Sequence, residues 1–262
     1  MLPRIVIFDG SVVVEIMVFE KRCKEVGDII EKSQSVGLDH IAQMHYFFDS
    51  AFPAGSYGHS FGFETFATSN LGGQIDRALE WIRTYMVFSL WYGDLENISK
   101  VRGALNSPID GLDKARHLDK RLHVSRSTIE GRRSAQTLSK SMATAAAHLF
   151  RDRVTPEGIY SGQYLEPSTF VAHLSHLLDW NESYLRLFYL QGQALAATSV
   201  LVRCGKIGQF AQLKMMAELI QVSSKLACAR PNKITSRGAV TNWAIEVDQI
   251  DHQSLSPRLF QS

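Results

Sequence analysis

Residues Asp49 to Thr65 read D-S-A-F-P-A-G-S-Y-G-H-S-F-G-F-E-T, and the reading of this stretch decides the fold. Pro53, Gly55, Gly58 and Gly62 interrupt the backbone, while Phe52, Tyr57, Phe61, Phe63 and Phe66 supply apolar surface. Each such ring contributes roughly 1.5 to 3 kcal/mol when buried, so the stretch is a packed turn and not a solvated loop. Within it, Gly58-His59-Ser60-Phe61-Gly62 matches the G-x-S-x-G nucleophile elbow, which needs a strand running into a strained turn and a helix. The surroundings refuse that context. Pro53 and Gly55 stand where a central strand needs β-branched residues, and Ile41, Met44 and Phe48 upstream recur at helical spacing. The Asp and His that come after in the right order, Asp248 and His252, are four residues apart at the far end of the sequence. Helix, turn and helix is therefore the preferred reading, with a serine hydrolase acting through Ser60 as an alternative.

Helical periodicity extends outward on both sides. Ile41, Met44, Phe47 and Phe48 share a face of a helix that starts near Leu38 and ends before Pro53. Phe63, Phe66 and Ala67 begin a short helix closed by Asn70 and Gly72-Gly73. Ile75, Leu79, Ile82, Met86 and Leu90 mark a long helix from about Gln74 to Asn97, with a break at Asn106-Ser107-Pro108. Leu112 to Val124 forms another, and Ser127-x-x-Glu130 has the form of a capping box opening a helix toward Phe150. Arg151 to Pro167, with Pro156, Gly158 and Gly162, is a connection.

In the helix from Asn181 to Arg203, Gly192, Ala194, Ala196, Ala197 and Ser199 are small for a helix middle. Glycine there costs about 1 kcal/mol relative to alanine, which predicts close approach of another helix, from this chain or from a second subunit. Gln209 to Ala229 is the last long helix, and Arg230 to Ser262, broken by Pro231, Gly238 and Pro257, reads as a mobile tail. Residues 1 to 36 are different: Arg4 to Phe19 holds two β-branched runs about Asp9-Gly10, a hairpin signal. The expected fold class is all-α, a single helical-bundle domain over residues 37–262 with a short N-terminal β-hairpin appendage in 1–36.

Composition narrows the function. The 262 residues are 45% hydrophobic and 21% charged, an ordinary globular balance. No apolar run approaches the roughly 18 residues that span a bilayer, and Asp9 and Glu15 spoil a leader core, so no membrane association and a cytoplasmic location are expected. Cys23, Cys204 and Cys228 are odd in number and lack C-x-x-C spacing, which speaks against a disulfide framework or a thiolate metal site. His173 and His176 lie three apart on one helix, short of the three or four ligands a metal centre uses, so a structural pair is expected and no metal or cofactor. Between Lys114 and Arg153, ten Lys or Arg stand against Asp119, Glu130 and Asp152, a net +7 that leaves −5 on the remainder. A basic helical nucleic-acid-binding protein is the second alternative. Without a nucleic-acid motif, a solvated face or an acidic protein partner is preferred, and no nucleic-acid partner is expected.

The turn also carries a family resemblance. Asp49, Phe52, Pro53, Gly55, Ser56, Tyr57, His59, Ser60, Gly62 and Glu64 fall on the signature of the urease accessory protein UreF family. A second stretch, D-K-R-L-H-V-S-R-S-T-I-E-G-R-R-S with Leu122, Ser125 and Arg133, resembles the family's passage from a leucine-rich helix through a serine into an arginine-bearing one. Gly208, Gln209 and Gln212 match the turn into the next helix, where Phe210 and Ala211 replace the usual Thr-Asp. At the end, His252, Arg258, Leu259 and Phe260 match, whereas Gln253 replaces an acid and Pro257 a serine. Tyr164-Leu165-Glu166-Pro167 stands where the family often has Gly-His-x-Pro.

The resemblance covers about Gly37 to Ser262. It implies an all-α protein, not itself an enzyme, that joins UreD (also called UreH) and the GTPase UreG in a complex delivering nickel to apo-urease. It further implies a homodimer, for which Gly192, Ala196 and Ser199 are the expected contact. Partner-contact candidates are Tyr57, His59, Ser60 and Glu64 at the turn, and His252, Arg258, Leu259 and Phe260 at the end.

Overall fold

The computed structural model describes residues 36–53, 60, 62–69, 71–151, 153–154, 164–230, 243–256 and 258–260. Its helices are α1 (Val36–Phe47), α2 (Phe63–Thr68), α3 (Ile75–Tyr85), α4 (Glu96–Leu105), α5 (Gly111–Ser125), α6 (Ile129–Leu149), α7 (Pro167–Leu177), α8 (Glu182–Arg203), α9 (Gln209–Cys228) and α10 (Trp243–Asp251), with a 3₁₀ turn over His252–Ser254 after them. No strand occurs among the described residues, so the all-α expectation holds for them. The hairpin expected in Arg4 to Phe19 lies outside them. The chain divides into two compact units, Met1–Asp39 and His40–Ser262, and the second holds most of α1 and every later helix.

The helix expected from Gln74 is longer and less regular than its sequence pattern. It runs from Ile75 to Leu105, but Met86–Leu95 between α3 and α4 is wound as a π-helix. The wide turn buries Gly93, Asp94 and Leu95 together, placing a carboxylate inside an apolar segment. Wide turns also leave carbonyls out of register with the next α-helical turn. Leu95 O, where the π-segment passes into α4, accepts from Arg186 Nη1 at 3.3 Å and from Ser99 Oγ at 3.1 Å.

Arg186, on α8, is among the largest fully buried side chains. Its guanidinium also reaches Ala227 O at 2.9 Å and Ala229 O at 2.7 Å, so it closes the C-terminus of α9 as well. One cation thus satisfies carbonyls of two elements, and burial lowers its pKa.

The aromatics of the turn region are buried as expected. Phe52, Phe63 and Phe66 lie in the core, and Phe52 packs on Phe47 at 4.6 Å between ring centroids. Phe47 in turn meets Trp180, which also meets Phe150. The small residues of α8 find their neighbours inside the chain. A Cβ on Gly192 would come 3.1 Å from Phe48 O, Ala196 is buried, and Ser199 accepts from Gln212 of α9 at 3.0 Å. Of the two possible sources for the close neighbour of α8, the same chain supplies these.

Candidate functional site

Glu64, in the first turn of α2, is only 1% exposed. A buried carboxylate costs several kcal/mol unless its oxygens are met by donors, and here three arrive from the far end of the chain. His252 Nε2 lies 2.7 Å from Glu64 Oε2. The backbone N–H of Leu259 donates to Oε1 at 2.7 Å, and that of Phe260 to Oε2 at 3.3 Å. The other ring nitrogen, His252 Nδ1, faces Glu130 Oε1 on α6 at 3.0 Å. A fully buried imidazole therefore bridges two carboxylates from two helices.

α10 is fastened along its length to the same place. Thr65 Oγ1 donates to Asp248 O at 2.8 Å, Ser127 N–H to Glu246 at 3.2 Å and Thr128 Oγ1 to Gln249 at 2.7 Å. Gly62, at φ +89°, lets α10 pass: a Cβ there would sit 3.0 Å from Ile245 O and 3.2 Å from Gln249 Cγ. Phe260 is buried, with the Arg203 guanidinium 4.2 Å above its ring.

These contacts correct two expectations and bear on one alternative. The end of the chain, which its prolines and glycines mark as mobile, is held in place over 243–256 and 258–260, while 231–242 fall outside the described residues. The capping box at Ser127-x-x-Glu130 is not made. Thr128 is the N-cap, its Oγ1 accepting from Gly131 N–H at 3.0 Å, and Glu130 is taken by His252 instead. The hydrolase arrangement is not assembled either. Both nitrogens of His252 are occupied by carboxylates and neither serves Ser60, whose Oγ is buried without a partner among the described residues. The element leading to the turn is a helix, α1.

Of the residues expected to form the site, Glu64, His252, Leu259 and Phe260 come together, and Ser60 lies just before Glu64 in the chain. Arg258 is exposed and Leu259 keeps 58% of its surface in solvent. Tyr57, His59 and Pro257 lie outside the described residues, as does the side chain of Gln253. His173 is buried, its Nδ1 hydrogen-bonded to the hydroxyl of Tyr164, and His176 is half-buried one turn on.

A second polar cluster lies beneath α10, and no motif in the sequence announces it. Arg126 Nε donates to Glu166 Oε2 at 2.8 Å, and its Nη2 lies 3.4 Å from Asp94 Oδ1. His123 Nδ1 meets Glu166 Oε1 at 2.9 Å, and Tyr189 donates to Asp94 Oδ2 at 2.7 Å. Asp119 accepts from the N–H groups of Leu165 and Glu166 at 2.9 and 3.1 Å, fixing the entry to α7. A pocket of about 50 Å³ opens onto Asp94, Arg126 and Tyr189, and Ile245, Glu246 and Gln249 of α10 line it too. The basic stripe is partly consumed here: Arg126 is paired, Arg132 turns back onto Arg126 O, and Lys114 and Arg116 pair with Asp110 and Asp113.

Burial pushes the Asp94 carboxyl up to about 6, with Glu166 adding to the rise and Arg126 opposing it. Burial, with His176 beside it, pushes His173 down to about 4. The two act in opposite directions on stability. Folding favours protonated Asp94, so its contribution is present at low pH and is lost as pH rises through about 6. Folding favours neutral His173, so its contribution is present above 6.5 and is lost as pH falls toward 4. Relative to the wild type, Asp94→Asn should lose stability on acidification from about pH 6 to about pH 4.5, and His173→Gln should gain it. Each difference approaches about 1.4 kcal/mol per pH unit at most. Urea midpoints across that range test this; wild-type pH slopes in both variants would rule the assignments out.

Compared with known families, the chain matches a family model described as UreF over residues 75–220, more than half its length. The match takes in α3 through much of α9. Glu64 and His252 to Phe260, which clasp one another, lie on either side of it.

Proposed function

This chain belongs to the UreF family, and from that premise we propose that it is a urease accessory protein which joins UreD (UreH) and the GTPase UreG, as a homodimer, in a cytoplasmic complex delivering nickel to apo-urease. It acts by binding and not by catalysis, with nickel and GTP handled by its partners. The observation that carries this reading is the clasp. Glu64 fixes the backbone of Leu259 and Phe260, and Phe260 is sunk into the core, while Arg258 and Leu259 stand in solvent beside it. An exposed Arg on fixed backbone is a favourable hot-spot residue, because little loop entropy remains to be lost when a partner binds. Tyr57, His59 and Ser60 are further partner-contact candidates in this reading.

The test is capture of purified UreD and UreG by the tagged chain, and then activation of apo-urease. Arg258→Ala should leave UreD bound, weaken UreG recruitment by about tenfold or more, and slow activation in proportion. An Arg258→Ala chain that recruits UreG and activates urease like the wild type would remove Arg258 from the surface. A wild-type chain that captures neither protein would remove the accessory role itself.

A further inference from the structure

α10 lies in a slot that two glycines keep open. Gly62 clears the side toward α2, and Gly131 clears the side toward α6, where a Cβ would come 2.7 Å from Gln249 Oε1. On the α6 side the contacts fall on every third residue. Glu246 accepts from Ser127 N–H at 3.2 Å, Gln249 from the Thr128 hydroxyl at 2.7 Å, and His252 Nδ1 faces Glu130 Oε1 at 3.0 Å. The last of these contacts starts a relay. His252 Nε2 meets Glu64 Oε2 at 2.7 Å, and Glu64 in turn accepts from the N–H groups of Leu259 and Phe260, next to the exposed Arg258. Three hydrogen bonds thus separate Glu130, on α6, from the backbone beside Arg258.

Glu130 is poorly placed for stability. Its side chain is 12% exposed, and Oε2 is buried without a partner among the described residues. Burying a carboxylate oxygen that no donor meets costs stability, and a group kept at such a cost calls for another account. Its geometry supplies one. An imidazole held by a single carboxylate can swing about that contact, whereas a ring held at both nitrogens by carboxylates on two helices cannot turn without losing one of them. We propose that Glu130 is a positioning residue: it locks the His252 ring, the ring sets the plane of the Glu64 carboxylate, and that carboxylate sets where Arg258 and Leu259 stand. The proposal rests on the reading above, in which Arg258 recruits UreG, and adds to it a residue that acts on that surface from another helix.

The test uses the full chain with Glu130→Met and Glu130→Gln, followed by melting, by backbone amide exchange and by capture of UreG in the presence of UreD. Methionine removes the unpartnered oxygen together with the contact to His252, so melting should stay within about 4 °C of the wild type. Exchange at Leu259 and Phe260 should nevertheless quicken about tenfold, and UreG capture should weaken about fivefold. Glutamine carries both an acceptor and a donor, so it can meet His252 Nδ1 in either tautomer and should bring both readouts back to within about twofold of the wild type. Arg258→Ala, which costs about tenfold in the wild type, should cost only about twofold on top of Glu130→Met, because both changes act through one surface. Exchange at Leu259 and Phe260 that stays at the wild-type rate in Glu130→Met overturns the relay. So does a fall in melting of about 10 °C or more with faster exchange throughout α6, which would make Glu130 an ordinary structural residue. An Arg258→Ala loss that is the same in both backgrounds overturns it as well. If Arg258→Ala leaves UreG capture unchanged in the wild type, the recruitment reading fails by itself, and the exchange rates at Leu259 and Phe260 still decide the relay.

Discussion

Arg126→Met should destabilise the chain by about 3–5 kcal/mol, measured as the shift of the denaturant midpoint at neutral pH. The substitution keeps most of the volume of the side chain and removes the cation between Glu166 and Asp94. Glu166 is fully buried and Asp94 nearly so, which leaves two carboxylates with His123 and the Tyr189 hydroxyl as their side-chain partners among the described residues. The loss is mainly the cost of stranding those charges and not the worth of the ion pairs. A second measurement separates the two: adding Glu166→Gln and Asp94→Asn to Arg126→Met removes the stranded charges and should recover more than half of the loss. If the triple variant is no more stable than the single one, Arg126 is acting through packing. A single variant within about 1 kcal/mol of wild type would mean that water already solvates both carboxylates.

Glu64→Ala should have a comparable effect that is confined to one end of the molecule. It removes the acceptor for His252 and for the N–H groups of Leu259 and Phe260, at a site where Glu64, His252 and Phe260 are all buried. Hydrogen bonds to a charged group are worth about 1.5–3 kcal/mol each, and a donor left buried without a partner costs a similar amount. The segment responds by letting go, since 252–260 leads to no further core element among the described residues. Amide exchange of residues 245–260 should accelerate by roughly a hundredfold or more, while α8 and α9 keep their protection. Equal acceleration in α8 and α9 would show that the clasp and the bundle unfold as one unit.

Much of the bundle is legible in periodicity. The helices around the glycine-rich turn, the stop at Asn106-Ser107-Pro108, and α8 and α9 lie within a few residues of their expected limits, because apolar spacing and breakers are local properties. The clasp is legible only as pieces. Glu64 and His252 are both candidate contacts on sequence grounds, but nothing local says that residues 188 positions apart share one buried hydrogen bond. Glu130 misleads because a capping box is a local pattern, whereas Thr128, one position after Ser127, makes the cap and Glu130 is drawn away by His252. Prolines and glycines mark the segment after Arg230 as loose, yet His252, Leu259 and Phe260 within it are held by an acceptor supplied by α2. The π-segment is hidden, since Met86 to Leu95 is apolar enough to pass for ordinary helix; the one cue is Asp94 within it. The small residues of α8 point correctly to a close neighbour, and Phe48 and α9 provide it within the chain.

The clasp between Glu64 and His252 also imposes an order on biosynthesis. Glu64 leaves the ribosome early, and the first of the groups that neutralise its burial emerges 188 residues later. At translation rates of about 5–20 residues per second that is a wait on the order of 10–40 s, far longer than helices take to form. Through that interval the carboxylate must stay hydrated, so α2 cannot seat fully against its neighbours even when the rest of the bundle has assembled. A message that ends before the His252 codon yields a chain whose Glu64 lacks all three of these donors. Closure of this carboxylate is thereby reserved for polypeptides synthesised through to Phe260.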